Sequence, residues 1–423
     1  MSIHSPSPWS PLRFCMVTNS VYARDVRVKR YAEYLADEGH WVDVVCLASE
    51  DGLPQDGHPG VTAHPIALTR RRVEGFRLVT NWARLWTLMF AKVSRLDLQK
   101  PYDCIHIHNM PDFLAFCGLI PRLRGCPLLL NIHDPVPEVA RSKLGLSASN
   151  GIIRILALIE RASVAFSTHV VTATPAFRRA LTARGVPPEK ITVIVNAADT
   201  RYFGGNIVHR VRSEPGERFV ALYVGTVAKR YGLHICVEAL PCLKEAIPGF
   251  QLRIVPKIRE EGEALAECLR LADRLGVKDL VRVDNPVSLD MMPRVMADSD
   301  LGVYPALSDC HMDVALSLKI PEMAMVGLPI VSTRLPVLEE LFAEDAIAFV
   351  PPGDPIALAN KILELYRAPA LRENLSRNAA RRSASLSWKL QYEQYCALLE
   401  KILQKRIVLG TQGANEFSPH PDS

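Results

Sequence analysis

Short apolar runs alternate with amphipathic runs of helical period along nearly the whole chain. In the first half, the apolar runs predict strands at 14–17, 41–47, 61–68, 104–107, 128–132, 169–172 and 192–195. The periodic runs between them predict helices at 25–37, 112–123, 152–167 and 175–184. This alternation is typical of an α/β fold in which helices cover both faces of a parallel sheet.

A second series of the same kind follows, so two domains are expected from 423 residues. Its predicted strands are 219–224, 252–255, 281–283, 301–304, 330–332 and 347–350. A polar, glycine-containing stretch at 196–217 is typical of a linker. The predicted organisation is a disordered N-terminus at 1–11, a first domain at 12–205, a second at 206–385, a long helix at 386–403 and a disordered tail at 404–423.

Composition narrows the class of protein. With 48% hydrophobic and 22% charged residues the chain is a globular protein with a substantial core. The net charge of +5 is mild and is not gathered into a basic stripe with stacking aromatics, which argues against a nucleic-acid partner. Ten scattered cysteines without a Cys-x-x-Cys motif predict free thiols in a reducing cytosol. Neither a secretory signal nor an uncharged membrane-spanning run is found, so we expect a cytoplasmic protein, soluble or peripheral on a membrane.

The segment 317–333 combines a charged helix start with a buried strand. Lys319 and Glu322 lie one turn apart on a short predicted helix that ends at Gly327, and an apolar strand begins at Ile330. The N-terminal end of a helix attracts phosphate, and a carboxylate can accept two hydrogen bonds from a ribose. The pattern indicates a nucleoside-diphosphate site. The alternative is a helix whose Lys and Glu only pair with each other.

A second candidate segment lies at 223–232, where the second predicted domain begins. After its strand, Gly225 lets a ligand approach the backbone closely, and Thr226 follows it in the loop. Arg230 comes where the chain leaves the sheet, so a diphosphate could be held between this loop and Lys319. Surface cations before a helix are the alternative.

These two segments resemble glycosyltransferase family 4, and within it an exopolysaccharide-type subgroup. The block 101–138 and the Asp25–Arg27 opening of the first helix carry the same resemblance, which extends from about residue 12 to residue 403. It implies the GT-B architecture, in which two Rossmann-like domains face a central cleft and a C-terminal helix crosses back onto the first domain.

The resemblance also implies an activity. A family 4 enzyme is a retaining, metal-independent glycosyltransferase, here of hexosyltransferase type. It moves a sugar from a nucleotide-diphosphate sugar to a polysaccharide or lipid-linked acceptor, and the donor is a substrate, so no cofactor is expected. Donor binding is implied for Gly225, Thr226, Arg230, Lys319 and Glu322.

The chain departs from the family pattern at two places. Many members carry Lys directly before the second glycine of the 223–232 segment, where this chain has Tyr231. Some carry Arg one residue earlier, which favours Arg230 over Lys229 as the phosphate ligand.

The second departure concerns a pair of glutamates that the family separates by seven intervening residues. Glu322 matches the second glutamate, which is expected at the ribose, whereas the position of the first is Val314. Its neighbour Asp313 is our candidate for contact with a sugar hydroxyl. The missing glutamate leaves open a non-catalytic partner subunit.

In the first predicted domain, a buried strand is followed by His133 and Asp134. A histidine at a strand's carboxyl end beside an aspartate can bind a sugar hydroxyl or hold an acceptor. The resemblance implies that His133 contacts the donor sugar. We assign His133, Asp134 and Asp313 to the catalytic set, with a structural His-Asp pair as the alternative.

The pair His106 and His108 could suggest a metal, since side chains at i and i+2 share one face of a strand. The surrounding segment resembles the family's ordinary fourth strand, so no metal is predicted. Asn109 and Asp112 are interpreted as caps of the following helix.

Residues 70–95 combine arginines with tryptophans at helical spacing. Arg70, Arg71 and Arg72 precede an apolar stripe that includes Trp82 and Trp86. Such a helix can rest on an anionic membrane at the inner face of the plasma membrane. The alternative is a core-packed helix with a solvated basic face. A GT-B epimerase or phosphorylase also remains open as the activity.

Overall fold

The computed structural model describes residues 11–49, 57–68, 76–204, 209, 218–257 and 262–414. The chain forms two compact units. One contains the residues up to Ile194 together with those from Tyr392 onward, and the other contains Val195–Gln391. The first boundary therefore precedes position 205, at which the sequence placed it. Each unit is built on a parallel sheet, which confirms the predicted α/β class.

The first unit holds a sheet of seven parallel strands in the order β3-β2-β1-β4-β5-β6-β7. Its strands are β1 (Arg13–Thr18), β2 (Trp41–Leu47), β3 (Val61–Ile66), β4 (Cys104–His108), β5 (Leu128–Ile132), β6 (His169–Thr172) and β7 (Ile191–Val193). Its helices are α1 (Val26–Asp37), α2 (Phe76–Gln99), α3 (Leu119–Leu123), α4 (Val136–Leu144), α5 (Gly151–Phe166) and α6 (Pro175–Ala183), with 3₁₀ turns at Tyr22–Arg24, Asp112–Gly118 and Pro188–Lys190. The strand order reverses between β1 and β4, and parallel sheets bind ligands at such a reversal.

The position of helix α2 bears on whether the apolar stripe of residues 70–95 packs in the core or rests on a membrane. Leu85, Met89 and Val93 are buried in the core of the first unit, and Trp86 packs against that core. The apolar stripe therefore covers the sheet, as in the core-packed interpretation. Arg70–Arg72 lie outside the described residues.

The second unit holds six parallel strands in the order β10-β9-β8-β11-β12-β13. They are β8 (Phe219–Gly225), β9 (Phe250–Pro256), β10 (Val281–Val283), β11 (Leu301–Tyr304), β12 (Ile330–Thr333) and β13 (Ala348–Val350). The helices are α7 (Thr200–Phe203), α8 (Leu233–Ala246), α9 (Gly262–Arg274), α10 (Met292–Ala297), α11 (Lys319–Val326), α12 (Pro336–Leu341), α13 (Pro355–Arg367) and α14 (Pro369–Ser385), with 3₁₀ turns at Lys229–Tyr231 and Lys278–Leu280. Here the order reverses between β8 and β11.

The last helix, α15 (Trp388–Ala414), begins in the second unit and continues into the first. Within the first unit, the Tyr395 hydroxyl hydrogen-bonds His106 Nδ1 at 3.0 Å, and its ring lies 4.7 Å from that of Tyr31. The sequence predicted a disordered tail from residue 404, whereas the helix continues to Ala414. Residues 404–409 contain no proline and several good helix formers, so nothing in the backbone stops the helix there.

The cysteines are free thiols, as predicted, and seven of the ten are buried. Burial in apolar surroundings raises the pKa of several of them, for example Cys117, and keeps these thiols protonated. Over the described residues, no helix combines the length and the apolar character needed to cross a bilayer.

Candidate functional site

Asp25 lies at the strand reversal of the first unit, directly before α1. Its Oδ1 accepts hydrogen bonds from the N–H groups of Arg27 (3.2 Å) and Val28 (3.4 Å), so Asp25 is the N-cap of this helix. The Ser20 hydroxyl donates to Oδ2 at 2.6 Å. Burial alone would raise the pKa of Asp25, but Arg27 and Ser20 hold the pKa below its usual range. The carboxylate is therefore anionic.

His133 and Asp134 lie directly after β5, where the sequence placed them. His133 is buried and Asp134 is partly exposed. Asp134 Oδ2 lies 3.6 Å from Arg27 Nη1 and 3.9 Å from His133 Nε2. Burial, reinforced by the charge of Arg27, lowers the pKa of His133 well below its usual value. The site therefore offers a neutral imidazole beside an arginine-paired carboxylate, which suits hydrogen bonding to sugar hydroxyls.

Asn109, at the end of β4, holds this loop in place. Its Oδ1 accepts from the backbone N–H of His133 (3.1 Å) and of Asp134 (3.4 Å). Its amide donates to the Asp134 carbonyl (2.7 Å) and to Asp112 Oδ1 (2.9 Å). The predicted capping role is wrong, because Pro111 occupies the N-cap of the 3₁₀ turn and no side chain caps it. The side chain of Asn109 binds Asp112 and the backbone of the loop that follows the adjacent strand β5 instead.

Asn109 binds Asp112, one of three buried carboxylates in this region, and the other two share one arginine. Arg184 Nη1 binds Glu138 Oε1 at 2.5 Å, and its Nε binds Glu160 Oε1 at 2.7 Å. Asp112 is not bound to this arginine, and its Oδ2 is buried without a hydrogen-bond partner. Burial, with Glu160 next in effect, raises the pKa of Asp112 to about 7. Asp112 therefore takes up or releases its proton near neutral pH.

His106 and His108 share a face of β4, with ring centroids 4.2 Å apart. Burial lowers the pKa of both imidazoles, to about 3 for His108. His106 Nδ1 is already hydrogen-bonded to the Tyr395 hydroxyl. No group of three or more metal-binding side chains is assembled within the described ranges.

In the second unit, Lys319 lies over Gly225 at the end of β8. A Cβ built on Gly225 would be 3.0 Å from Lys319 Cε, so any larger residue here would push this side chain aside. Gly225 also has φ +117°, which other residues rarely adopt. Lys319 Nζ is 3.8 Å from Glu322 Oε2, and Glu322 is buried in the first turn of α11. Gly327 ends that helix in the left-handed conformation, as predicted.

Arg230 lies in the 3₁₀ turn that follows the same strand. Its backbone carbonyl accepts from Leu307 N–H at 2.9 Å, which attaches the turn to the segment after β11. A Cβ at Gly232 would overlap the carbonyl oxygen of Pro305, so this close approach requires glycine. One buried nitrogen of Arg230, Nη1, has no hydrogen-bond partner. Lys229 is exposed, as is Thr226.

Asp313 lies in the turn before α11, beside Val314. Its Oδ1 accepts from the Ser308 hydroxyl at 2.8 Å, and burial raises the pKa of the carboxyl. The loop 307–313 is thus ordered by its own polar groups, and Asp309 Oδ1 accepts from the N–H groups of His311 and Met312 at 2.8 Å each. The role of Asp313 toward a sugar stays a prediction.

Both units place their candidate residues where the strand order reverses. In the first unit these residues follow β1, β4 and β5. In the second they follow β8, lie between β11 and α11, or lie in the first turn of α11. Sequence reasoning missed Asn109 as a loop support and the acidic cluster around Arg184. The available signal was an asparagine directly after β4.

Two family models match the chain. The model described as a glycosyl transferase 4-like domain matches residues 25–197, and the model described as glycosyl transferases group 1 matches residues 218–368. A D-inositol 3-phosphate glycosyltransferase of Paenarthrobacter aurescens is 25% identical over 389 residues, covering 86% of this chain and 89% of its own.

Solved structures show the same fold. Sucrose-phosphate synthase from Thermosynechococcus elongatus matches with a TM-score of 0.74 at 18% identity, over 93% of this chain and 100% of its own. Anabaena HepE in complex with UDP matches with a TM-score of 0.70 at 18% identity, with the same coverage. The chain therefore belongs to glycosyltransferase family 4 and is a glycosyltransferase with the GT-B fold.

Proposed function

We propose that this enzyme is a retaining hexosyltransferase that moves a sugar from a nucleoside-diphosphate sugar to a polysaccharide or lipid-linked acceptor. The observation that carries the proposal is the arrangement of Lys319 over Gly225, with Glu322 one turn further along α11. It brings a cation, an open backbone position and a buried carboxylate to one strand reversal. Anabaena HepE, which has this fold, has been crystallised in complex with UDP and with UDP-glucose. This supports a nucleoside-diphosphate sugar as the donor.

Each group has a distinct task in donor binding. Lys319 and Arg230 bind the diphosphate, Arg230 through the nitrogen that has no protein partner. Glu322 accepts hydrogen bonds from the ribose hydroxyls, and the backbone at Gly225 and Thr226 lies against the diphosphate. The 3.8 Å contact between Lys319 Nζ and Glu322 Oε2 is longer than a hydrogen bond, so the two groups are not tightly paired with each other.

The reaction breaks the bond between the anomeric carbon and the β-phosphate oxygen. A new bond forms between that carbon and an acceptor hydroxyl oxygen, whose proton is released, and the nucleoside diphosphate leaves with the bonding electron pair. Negative charge grows on the leaving phosphate, and Arg230 and Lys319 stabilise it in the place of a metal ion. The proposal is therefore metal-independent.

The first unit supplies hydrogen-bonding groups for the sugar and the acceptor. A neutral His133 can donate or accept one hydrogen bond, whereas an imidazolium could only donate. Asp134 accepts hydrogen bonds and is oriented by Arg27. In the second unit, Asp313, next to Val314, takes the place of the family's first glutamate at a sugar hydroxyl.

Alanine substitutions test the donor site. Arg230→Ala and Lys319→Ala should each lower turnover about 100- to 1000-fold, the range for losing one group that stabilises developing charge. Lys229→Ala is the matched control for Arg230, because it is the exposed neighbour. Lys361→Ala controls for Lys319, because Lys361 pairs with Glu364 at the same i, i+3 spacing. Wild-type turnover in a correctly folded Arg230 or Lys319 variant would remove that residue from the phosphate role.

The acceptor and the reaction type need separate tests. The curated relative named for D-inositol 3-phosphate makes a small phosphorylated polyol a second acceptor candidate. A thermal-shift screen of nucleotide-sugars identifies the donor, and product analysis with polyol phosphates and lipid-linked glycans then identifies the acceptor. Donor turnover without any acceptor would instead indicate an epimerase.

A further inference from the structure

The connection between β5 and β6 carries an apolar surface of unusual exposure. Ile152, Ile155 and Leu158 on α5 are 53%, 60% and 66% exposed, and Leu144 at the end of α4 is 62% exposed. The three α5 residues follow one another at intervals of three, so they lie along one side of the helix. Core residues of α5 such as Ile153 and Val164 lie on the opposite side. The exposed side is therefore not part of the hydrophobic core of the first unit.

The charges around this surface have one sign. Between 139 and 168 the cations are Arg141, Lys143, Arg154 and Arg161, of which the last three are exposed. The one carboxylate in this stretch, Glu160, is buried and bound by Arg184. The exposed groups of the two helices are therefore apolar or positive, which complements an anionic lipid surface.

We propose that this α4–α5 face, formed by Leu144, Ile152, Ile155 and Leu158 with Arg154 and Arg161, docks on an anionic lipid bilayer. The four apolar side chains enter the interfacial region of the bilayer, and the arginines contact lipid phosphates. Removing the apolar side chains from water favours binding, and so does the attraction between each cation and the anionic surface.

The position of the face links it to the chemistry of the first unit. β5 and β6 are parallel neighbours, so their connection must return from the carboxyl edge of the sheet to the amino edge. Helix α5 makes this return, since it ends at Phe166 just before β6. Its first turns, with Ile152 and Ile155, are thus the part nearer the edge that carries His133 and Asp134. Docking would bring this edge to a lipid-linked acceptor, so the inference rests on the proposed function and names its membrane partner.

Vesicle flotation of the full chain tests the proposal without donor or acceptor. The wild type should float with phosphatidylcholine vesicles that contain about 30% phosphatidylglycerol and should stay in solution with phosphatidylcholine alone. The double variant Ile155→Glu/Leu158→Glu and the double variant Arg154→Glu/Arg161→Glu should each reduce binding at least about tenfold, which corresponds to about 1.4 kcal/mol. Ile356→Glu is the matched control, since Ile356 on α13 is 64% exposed, and it should bind as the wild type does.

Two further readouts keep the outcomes separate. Each variant should keep its melting temperature and its nucleotide-sugar affinity by calorimetry, so a failure of donor binding concerns the proposed function and not this surface. The proposal is overturned if the wild type fails to float or if both double variants float like the wild type. It is also overturned if sedimentation shows a dimer that the Ile155→Glu/Leu158→Glu variant separates while vesicle binding is absent, because the face would then bind a second copy of the chain.

Discussion

The side-chain oxygen of Asn109 accepts a hydrogen bond from the backbone N–H of His133 at 3.1 Å. This contact joins the ends of two adjacent parallel strands and fixes the backbone that presents the imidazole. Because the same side chain also binds both backbone groups of Asp134, one asparagine sets the position of both predicted catalytic residues.

Asn109→Ala should therefore affect activity more than its cost in stability implies. We expect a loss of about 1–3 kcal/mol in unfolding free energy, from the unpaired groups, and a turnover at least about tenfold lower, from the displaced loop. Nucleoside-diphosphate affinity should not change. Asn378→Ala is the control, because it also removes an amide bound to a carbonyl, that of Asp345 at 3.0 Å, and should leave turnover intact. Equal turnover in the two variants would contradict the positioning role.

Gly225→Ala should weaken donor binding by moving Lys319. The new Cβ would lie 3.0 Å from Lys319 Cε, and the alanine would have to adopt an unfavourable φ of +117°. Gly185→Ala isolates the second effect, because Gly185 has φ +90° and no atom within 4 Å of such a Cβ. Both variants should lose about 1–2 kcal/mol of stability. Calorimetry should show at least about a tenfold loss of donor affinity for Gly225→Ala alone, and unchanged affinity there would refute the steric argument.

Asp112 makes stability depend on pH near neutrality. Its pKa is raised from the usual 3.8 to about 7, so the folded state binds a proton that the unfolded state has already released in this range. The stabilisation that Asp112 contributes is fully present below the pKa of the group in the unfolded state. It is lost as pH rises through about 7. The slope is at most about 1.4 kcal/mol per pH unit.

Denaturant unfolding of Asp112→Asn between about pH 5 and about pH 8 should show a flatter dependence than the wild type. Asp273→Asn, an exposed carboxylate paired with Lys278, serves as the control and should keep the wild-type slope. Parallel curves for Asp112→Asn and the wild type would show that Asp112 does not titrate in this range.

Local patterns predicted the fold, and they predicted which elements carry the residues that we propose for the donor site. Lys319, Glu322 and Gly327 are close in sequence, so helical period and a terminating glycine were enough to place them. Asn109 could not be placed in this way, because its partners depend on which strands are neighbours in the sheet. The burial of α2 could not be predicted either. A helix with an apolar stripe and a basic face has the same sequence pattern whether it lies on a membrane or on a sheet.

Two further features escaped prediction for other reasons. The pKa of Asp112 depends on burial beside Glu160, which is distant in sequence. The exposed face of α5 could not be separated from its buried face, because isoleucine and leucine occur on both sides of that helix.

The contact of Tyr395 with Tyr31 and His106 has a consequence for biosynthesis. The ribosome makes the sheet of the first unit well before the helix that covers these side chains. Until that helix has left the ribosome, the nascent protein holds an uncovered aromatic surface, which is the kind of surface that chaperones bind. A fragment that stops at Ile194 would keep this defect permanently, so a stable isolated first unit has to be joined to the residues from Tyr392 onward.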